Sequence, residues 1–465
     1  MWSRGKETRG IYYLPPLFHQ PRPRVLNLED GDVSDSGLER ISKTKSLQSL
    51  NLSKCCRITD ISALSSLPTP EELNISRSVI IKGGWEALGK LTRLRVTIIS
   101  LSDVANEGIR LLSGCKYLRN LELYCCKDVS NIEAINNINS LEELKVGMLP
   151  RIRILALRHV ELSFFSLSSL GENKSLVKLT IERSKELCDI KLISNIATLK
   201  ELKVAYSDRL LNDVGDLRKL SWLNVLRLRY FKVGNSCFES VCTMRSLKSL
   251  NLASSWKLTD ISHISNLTAL EELNLSGCCP ITSGWEALSE LPRLRVLNLE
   301  SASVTTRYDG YYISRCKSLV TLNLESCYMT DASYIANIKT LEELHIGRCK
   351  ELRWGFSPLF TLPRLRILNL ICSFITDEDL REIQPPHTIE ELNLSYCEEL
   401  NDITPLGRIK SINNLHFSQI HDVRRFREGF RSLLELPCLS WVDLNNVCGW
   451  SDVYVELRKK RVHIR

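Results

Sequence analysis

The sequence predicts an α/β solenoid: a horseshoe or arc of about nineteen stacked repeats, with a parallel β-sheet on the concave side and turns or short helices on the convex side. Three observations predict it. The motif L-x-x-L-x-L, with related apolar residues admitted at its ends, opens units near residues 23, 47, 70, 94, 118, 141, 152, 176, 199, 223, 247, 270, 294, 319, 341, 365, 389, 412 and 439. Successive units lie 22 to 25 residues apart, except for steps of 11 (141 to 152) and 27 (412 to 439), and a fixed period of that size marks one supersecondary unit stacked on the next. A slower period of about 71 residues lies on top, because three unit types alternate: LQSLNLSKCCRITDISALSSL, LEELNLSGCCPITSGWEALSELP and RLRVLNLESASVT.

Each part of a unit has a physical reason. Side chains alternate along a strand, so Leu50 and Leu52, or Leu273 and Leu275, face one interior while Asn51 and Asn274 face out. Ile58, Ile61, Leu64 and Leu67 return to that interior through the convex arm. The pairs Thr59-Asp60, Thr259-Asp260, Thr330-Asp331 and Thr376-Asp377 precede the arm, where a side-chain oxygen can cap free backbone amides. A single unit buries too little to fold alone, so stacking is obligatory. Residues 1–22 read as an N-terminal extension or cap, 23–450 as the solenoid, and 451–465 as a C-terminal cap and basic tail. Eleven residues cannot complete a coil, so an irregular junction is expected at 147–152. Near the end, DVRRFREGFRSLLEL places Val423, Phe426, Phe430 and Leu433 on one helical face, and SDVYVELRKKRVHIR reads as an alternating strand with a basic run, Arg458-Lys459-Lys460-Arg461.

Composition narrows the function. With 43% hydrophobic residues and only 21 Gly and 15 Pro in 465, the chain is neither disordered nor collagen-like. Its 62 Lys+Arg against 54 Asp+Glu give a net charge of +8, too diffuse to favour nucleic acid over other partners. The N-terminal stretch lacks the apolar run of roughly 7 to 15 residues that a secretory leader requires. No run approaches the roughly 18 apolar residues of a membrane span. The seventeen cysteines are therefore expected to be reduced, in the cytoplasm or nucleus.

Several motifs look like chemistry and read better as packing. Cys55, Cys126, Cys278, Cys327, Cys349 and Cys397 share position 9 of their units, where Ser78, Ser184, Ser207, Ser255 and Ser373 stand in others. A small polar group there can bond backbone at the strand's end, whereas zinc would need spacings that are absent. Gly84-Trp85-Glu86-Ala87-Leu88-Gly89-Lys90 imitates a phosphate-binding loop, but Leu91 follows and the copy at Gly284 loses the second Gly and the Lys. No metal, cofactor, small-molecule substrate or catalytic residue is expected. Paired acids (Glu71-Glu72, Glu142-Glu143, Glu271-Glu272, Glu342-Glu343) alternate with R-x-R, and the strand spacing of about 4.8 Å should set Glu71 beside Arg95, Glu271 beside Arg295 and Glu342 beside Arg366.

The outward strand positions carry the binding expectation. Asn occupies the central one in many units, but Lys145, Lys203 and Arg227 replace it mid-chain, joined by Tyr124, Arg158, Lys178, Tyr206, Arg229 and Tyr230. This is either a protein-binding surface for an acidic partner, since Arg and Tyr anchor interfaces, or drift on a solvated face after duplication.

Units such as CKSLVTLNLESCYMTDASYI (Cys316 to Ile335) resemble cysteine-containing leucine-rich repeats, as in substrate-binding subunits of ubiquitin ligases. The mixed pattern LNLSxCxxITDISxLSxL with LEELNLSGC is more similar to trypanosome expression-site-associated leucine-rich-repeat proteins, named as adenylate cyclase regulators. The resemblance spans roughly residues 23 to 450 and implies a non-catalytic protein-interaction scaffold or regulatory subunit. The alternative is a substrate-recognition subunit of a ubiquitin-ligase assembly that lacks its own F-box or RING, since only 22 residues precede the first unit.

Overall fold

In the computed structural model, residues 24–464 are described except 68–69, 79–80, 100–103, 105, 125–128, 130–132, 139, 148–151, 159–160, 163–172, 184–190, 207–214, 231–232, 305–306, 384–386, 419–426 and 445–450. They form two units, Met1–Leu223 and Asn224–Arg465. Unit 1 holds β1 (Val25–Asn27), β2 (Ser49–Asn51), β3 (Glu72–Asn74), β4 (Val96–Ile98), β5 (Asn120–Tyr124), β6 (Glu143–Gly147), β7 (Ile154–Arg158), β8 (Glu161–Leu162), β9 (Lys178–Glu182) and β10 (Glu201–Ala205). Its first sheet runs β1 to β6 in order and then β8, while β7, β9 and β10 pair in that order in another. Thus β6 takes β8, not β7, as its neighbour. The expected junction residues 148–151 lie outside those described.

Unit 2 holds β11 (Val225–Arg229), β12 (Ser249–Asn251), β13 (Glu272–Asn274), β14 (Val296–Asn298), β15 (Thr321–Asn323), β16 (Glu343–His345), β17 (Ile367–Asn369), β18 (Glu391–Asn393), β19 (Asn414–His416), β20 (Trp441–Asp443) and β21 (His463–Ile464). These are parallel neighbours in sequence order. The register stacks each central leucine on the next: Leu250, Leu273, Leu297, Leu322, Leu344, Leu368, Leu392 and Leu415 form one column. All are buried, so the hydrophobic gain accrues between units rather than within one.

The convex arms follow the slow period. α-Helices recur in units of one type, at Asp35–Ile41, Asn106–Leu111, Asn235–Cys242, Arg307–Ile313 and Asp377–Arg381, with mainly 3-10 turns in the intervening arms. The expected caps form: Asp60, Asp260 and Asp331 accept from the amides of Ser62, Ser262 and Ser333 at 2.6, 2.9 and 2.8 Å. Thr376 builds a capping box with Asp379, leaving Asp377 to accept from Asn401 and Asp402 of the next unit at 2.7 and 2.9 Å.

Where a strand stops depends largely on its central outward residue. Asn51, Asn74, Asn274 and Asn298 each turn a carboxamide oxygen onto the amide two residues on, at 2.9–3.0 Å, and their strands are three residues long. In β5, β6, β7, β9, β10 and β11 the residue is Glu122, Lys145, Ala156, Thr180, Lys203 or Arg227, and the strand runs to five. With no local acceptor the later amides must find partners elsewhere, and β10 pairs Val204 and Ala205 with Ile181 and Glu182. β4, β16, β19 and β20 stay short without Asn. Three residues beyond the central position the backbone turns left-handed, as at Lys54, Arg77, Tyr206, Tyr230, Ser254 and Tyr396.

The sequence reading of 451–465 requires correction. Ser451–Lys459 is an α-helix, and only His463–Ile464 is a strand. Val453 and Leu457, four apart, are buried while Val455 is exposed, so an apparent alternation is a helical stripe. Helix Arg427–Ser432 buries Phe430, and Leu433 is buried just beyond it; Val423 and Phe426 lie outside the described residues.

Candidate interaction surface

The outward strand positions carry the side chains on which the binding expectation rests. In unit 1 the lysines expected there are half-buried and already paired. Lys145 Nζ meets Glu122 at 2.6 Å and Glu143 at 3.6 Å, and the Glu122 bond raises its pKa. Glu201 lies between Lys203 at 2.9 Å and Lys178 at 3.5 Å. Burial pushes the Glu201 carboxyl up, but the two ammonium groups outweigh it and hold the pKa below the usual value. Each of these three lysines thus meets a glutamate on its own or the adjacent strand. Tyr206 is exposed under the Arg183 guanidinium, 5.2 Å from the ring centre. Tyr124 and Arg158 have backbones in β5 and β7, and their side chains lie outside the described residues.

Arg227, Arg229 and Tyr230 belong to unit 2. Arg227 is half-buried, with a buried Nε that finds no hydrogen-bond acceptor, and Arg229 lies 5.6 Å from the Tyr230 ring centre. Further along, the face changes character. At the first three outward positions of β12 to β20, the described residues include Glu272, Glu300, Glu325, Glu343, Glu391 and Asp443 but no Lys or Arg, and the fourth position adds Arg348, paired with Glu325. The first of those positions runs Glu272, Val296, Thr321, Glu343, Ile367, Glu391, Asn414, Trp441 across adjacent strands. His345 bonds Glu343 at 2.8 Å, while His416 lies 3.5 Å from Glu391 and 4.5 Å from the Trp441 ring centre. Beside this row lies a groove of about 260 Å³ containing Ile367, Arg366 and the pairs Glu342-Glu343 and Glu390-Glu391. Sequence reasoning missed it because the acid doublets were read only as partners for R-x-R.

Those pairings form in part. Arg95 meets Glu71 at 3.5 Å, but Glu271 pairs with Lys248 at 3.1 Å and Arg366 grips Glu390 with two bonds of 2.9 and 2.7 Å. The backbone adjacency is as the spacing requires, since the amides of Arg295 and Arg366 donate to the carbonyls of Glu271 and Glu342. A long side chain can reach the unit on either side, so strand order fixes neighbours but not ion pairs.

The cysteines form a structural ladder. Sγ of Cys55, Cys278, Cys327, Cys349 and Cys397 lies 3.1–3.3 Å from the carbonyls of Leu28, Leu252, Leu299, Leu324 and Leu370 in the preceding unit. Ser78 makes the same bond to Leu52 at 3.2 Å. Burial pushes the Cys55, Cys278, Cys349 and Cys397 thiols up to about 11, so they are poor nucleophiles at neutral pH. Cys126, Ser184 and Ser207 lie outside the described residues. Gly84 and Gly284 have φ of 80° and 89°, and a Cβ at either would strike the backbone nitrogen of Ser62 or Ser262. Packing against the preceding unit thus accounts for the glycine of the phosphate-loop mimic. Among the described residues no three His, Cys, Asp or Glu are arranged to hold a metal ion, and no helix is long and apolar enough to cross a membrane.

Repeated strands, a leucine column and a polar ladder at several strand ends define the class: the chain is a leucine-rich-repeat protein. The leucine-rich-repeat family profile matches residues 44–65. A Trypanosoma equiperdum protein named as a regulator of adenylate cyclase is 29% identical over 202 residues, 41% of this chain and 31% of that one. A disease resistance protein of Arabidopsis thaliana is 24% identical over 230 residues, 45% of this chain and 19% of that one. The chain thus spans less than a third of the length of either relative. A solved leucine-rich-repeat protein of Leptospira interrogans shares the fold, with a TM-score of 0.54 and 20% identity over 82% of this chain and 91% of that one.

Proposed function

We propose that the chain is a non-catalytic interaction scaffold or regulatory subunit that holds a protein ligand on its outward strand face. The supporting observation is the contrast between the two sides of each strand: the inward leucines are nearly invariant from unit to unit, while the outward row changes from Asn to Lys, Glu, Ile or Trp. Uniform frames with varied faces suit recognition rather than chemistry. The relative named for adenylate cyclase regulation points the same way. The candidate contributors are Lys145, Lys178, Lys203, Arg227 and Arg229, with Tyr124, Arg158, Tyr206 and Tyr230, where the ligand reaches them. Cysteines that serve as thiol donors favour a reducing compartment, the cytoplasm or nucleus.

The test is proximity labelling in cells with the full chain and two sets of variants. One set carries Lys145→Glu, Lys203→Glu, Arg227→Glu and Arg229→Glu; the other carries Thr321→Trp and Ile367→Trp. Loss of the same proteins from one set, with the fold intact by circular dichroism, supports the reading. An unchanged labelling profile in both sets refutes it.

A further inference from the structure

We infer that the strand face of unit 2 around β16 to β18 docks a protein segment bearing lysine or arginine side chains. The inference rests on the scaffold reading above and supplies the chemistry of the partner. Three features of the face agree. The carboxylates Glu343 and Glu391 flank Ile367 on adjacent strands, so two negative groups stand about 10 Å apart across an apolar floor. A lysine or arginine has a matching form, an aliphatic stem with a cationic head. The adjoining groove of about 260 Å³ already contains one such head: Arg366, gripped by Glu390 and flanked by Glu342. Four glutamates line it against that single guanidinium, and among the described residues the nearest outward cation, Arg348 beyond β16, is already paired with Glu325. His345 and His416 each engage Glu343 or Glu391, yet a carboxylate accepts several hydrogen bonds and can take a further donor.

The experiment measures fluorescence anisotropy of labelled twelve-residue peptides against the full chain: an alternating Lys-Ser peptide, a Glu-Ser peptide and a Gly-Ser peptide. The Lys-Ser peptide should bind preferentially, and added salt should weaken it. The double substitution Glu343→Gln, Glu391→Gln should weaken binding about five- to tenfold, whereas Glu378→Gln, Glu382→Gln on the convex side should change it less than about twofold. Ile367→Ser should also weaken it while leaving the charge intact. Equal loss from both glutamine pairs, or preference for the Glu-Ser or Gly-Ser peptide, overturns the inference. Should the Trp variants lose cellular partners while the peptides show no cationic preference, the partner chemistry fails and the scaffold reading stands.

Discussion

Replacing Thr97 by valine should stabilise unit 1. Thr97 occupies the leucine column of β4, with Leu73 and Leu121 on either side. It is fully buried and its hydroxyl has no hydrogen-bond partner. An unpaired buried hydroxyl costs about 1–3 kcal/mol in protein contexts. Valine has the same shape, so it removes that cost without opening a cavity, and the expected gain is about 1–2 kcal/mol. Because a repeat array unfolds locally as well as globally, hydrogen exchange followed by mass spectrometry is the appropriate assay. Peptides covering β3 to β5 should gain about five- to thirtyfold in protection, and those from β16 to β18 should not change. Thr97→Ala, which also discards a methyl group, should gain less or lose stability. Equal or lower protection in the valine variant would refute the reasoning, because it would mean that the hydroxyl is bonded in solution.

Three further outcomes follow from the same physics. Asn274→Ala leaves the Ser276 amide without its 2.9 Å acceptor and should cost about 1 kcal/mol, read from urea denaturation; Asn274→Asp should restore most of it. Gly284→Ala combines a φ of 89° with a backbone collision and should cost more than about 2 kcal/mol, seen as loss of protection in the arms at 262–266 and 285–290. Iodoacetamide at neutral pH should label exposed Cys56, Cys279 and Cys438 well before the buried ladder. The unfolded thiols release protons near 9.0, four of the folded ladder only near about 11, and Cys327 higher still. That contribution to stability is complete below pH 9 and should decline between pH 9 and 11; stability that is flat through that window would contradict it.

The frame was legible because two periods coincide in one motif. Alternation along three residues decides which side of a strand is dry, and recurrence after two dozen fixes what lies beside it, so Leu273 and Leu297 can be paired on sight. The cysteine ladder was legible for the same reason, with serine as its visible substitute. Side chains longer than the strand spacing were not. Glu271 has basic neighbours on both flanks and takes Lys248, and Lys203 looks like surplus charge until Glu201 is placed beside it. The segment around Val453 shows another boundary of such reading, because V-x-V-x-L satisfies a strand and also hides a four-residue helical spacing. At the acidic groove, alternating doublets and R-x-R suggested mutual neutralisation, whereas Arg366 can satisfy only part of four carboxylates.

The asparagine at the end of a strand also bears on how such a chain can evolve. A repeat that closes its own strand with its own side chain brings its solution along when copied, and can be inserted, lost or exchanged without consulting the sequence next door. The five-residue strands lack that local closure, because Glu122, Lys145, Ala156, Thr180, Lys203 or Arg227 stands where the asparagine would be. Recombination should therefore be tolerated more readily around residues 249–323 than around 178–205, where adjoining copies must change together.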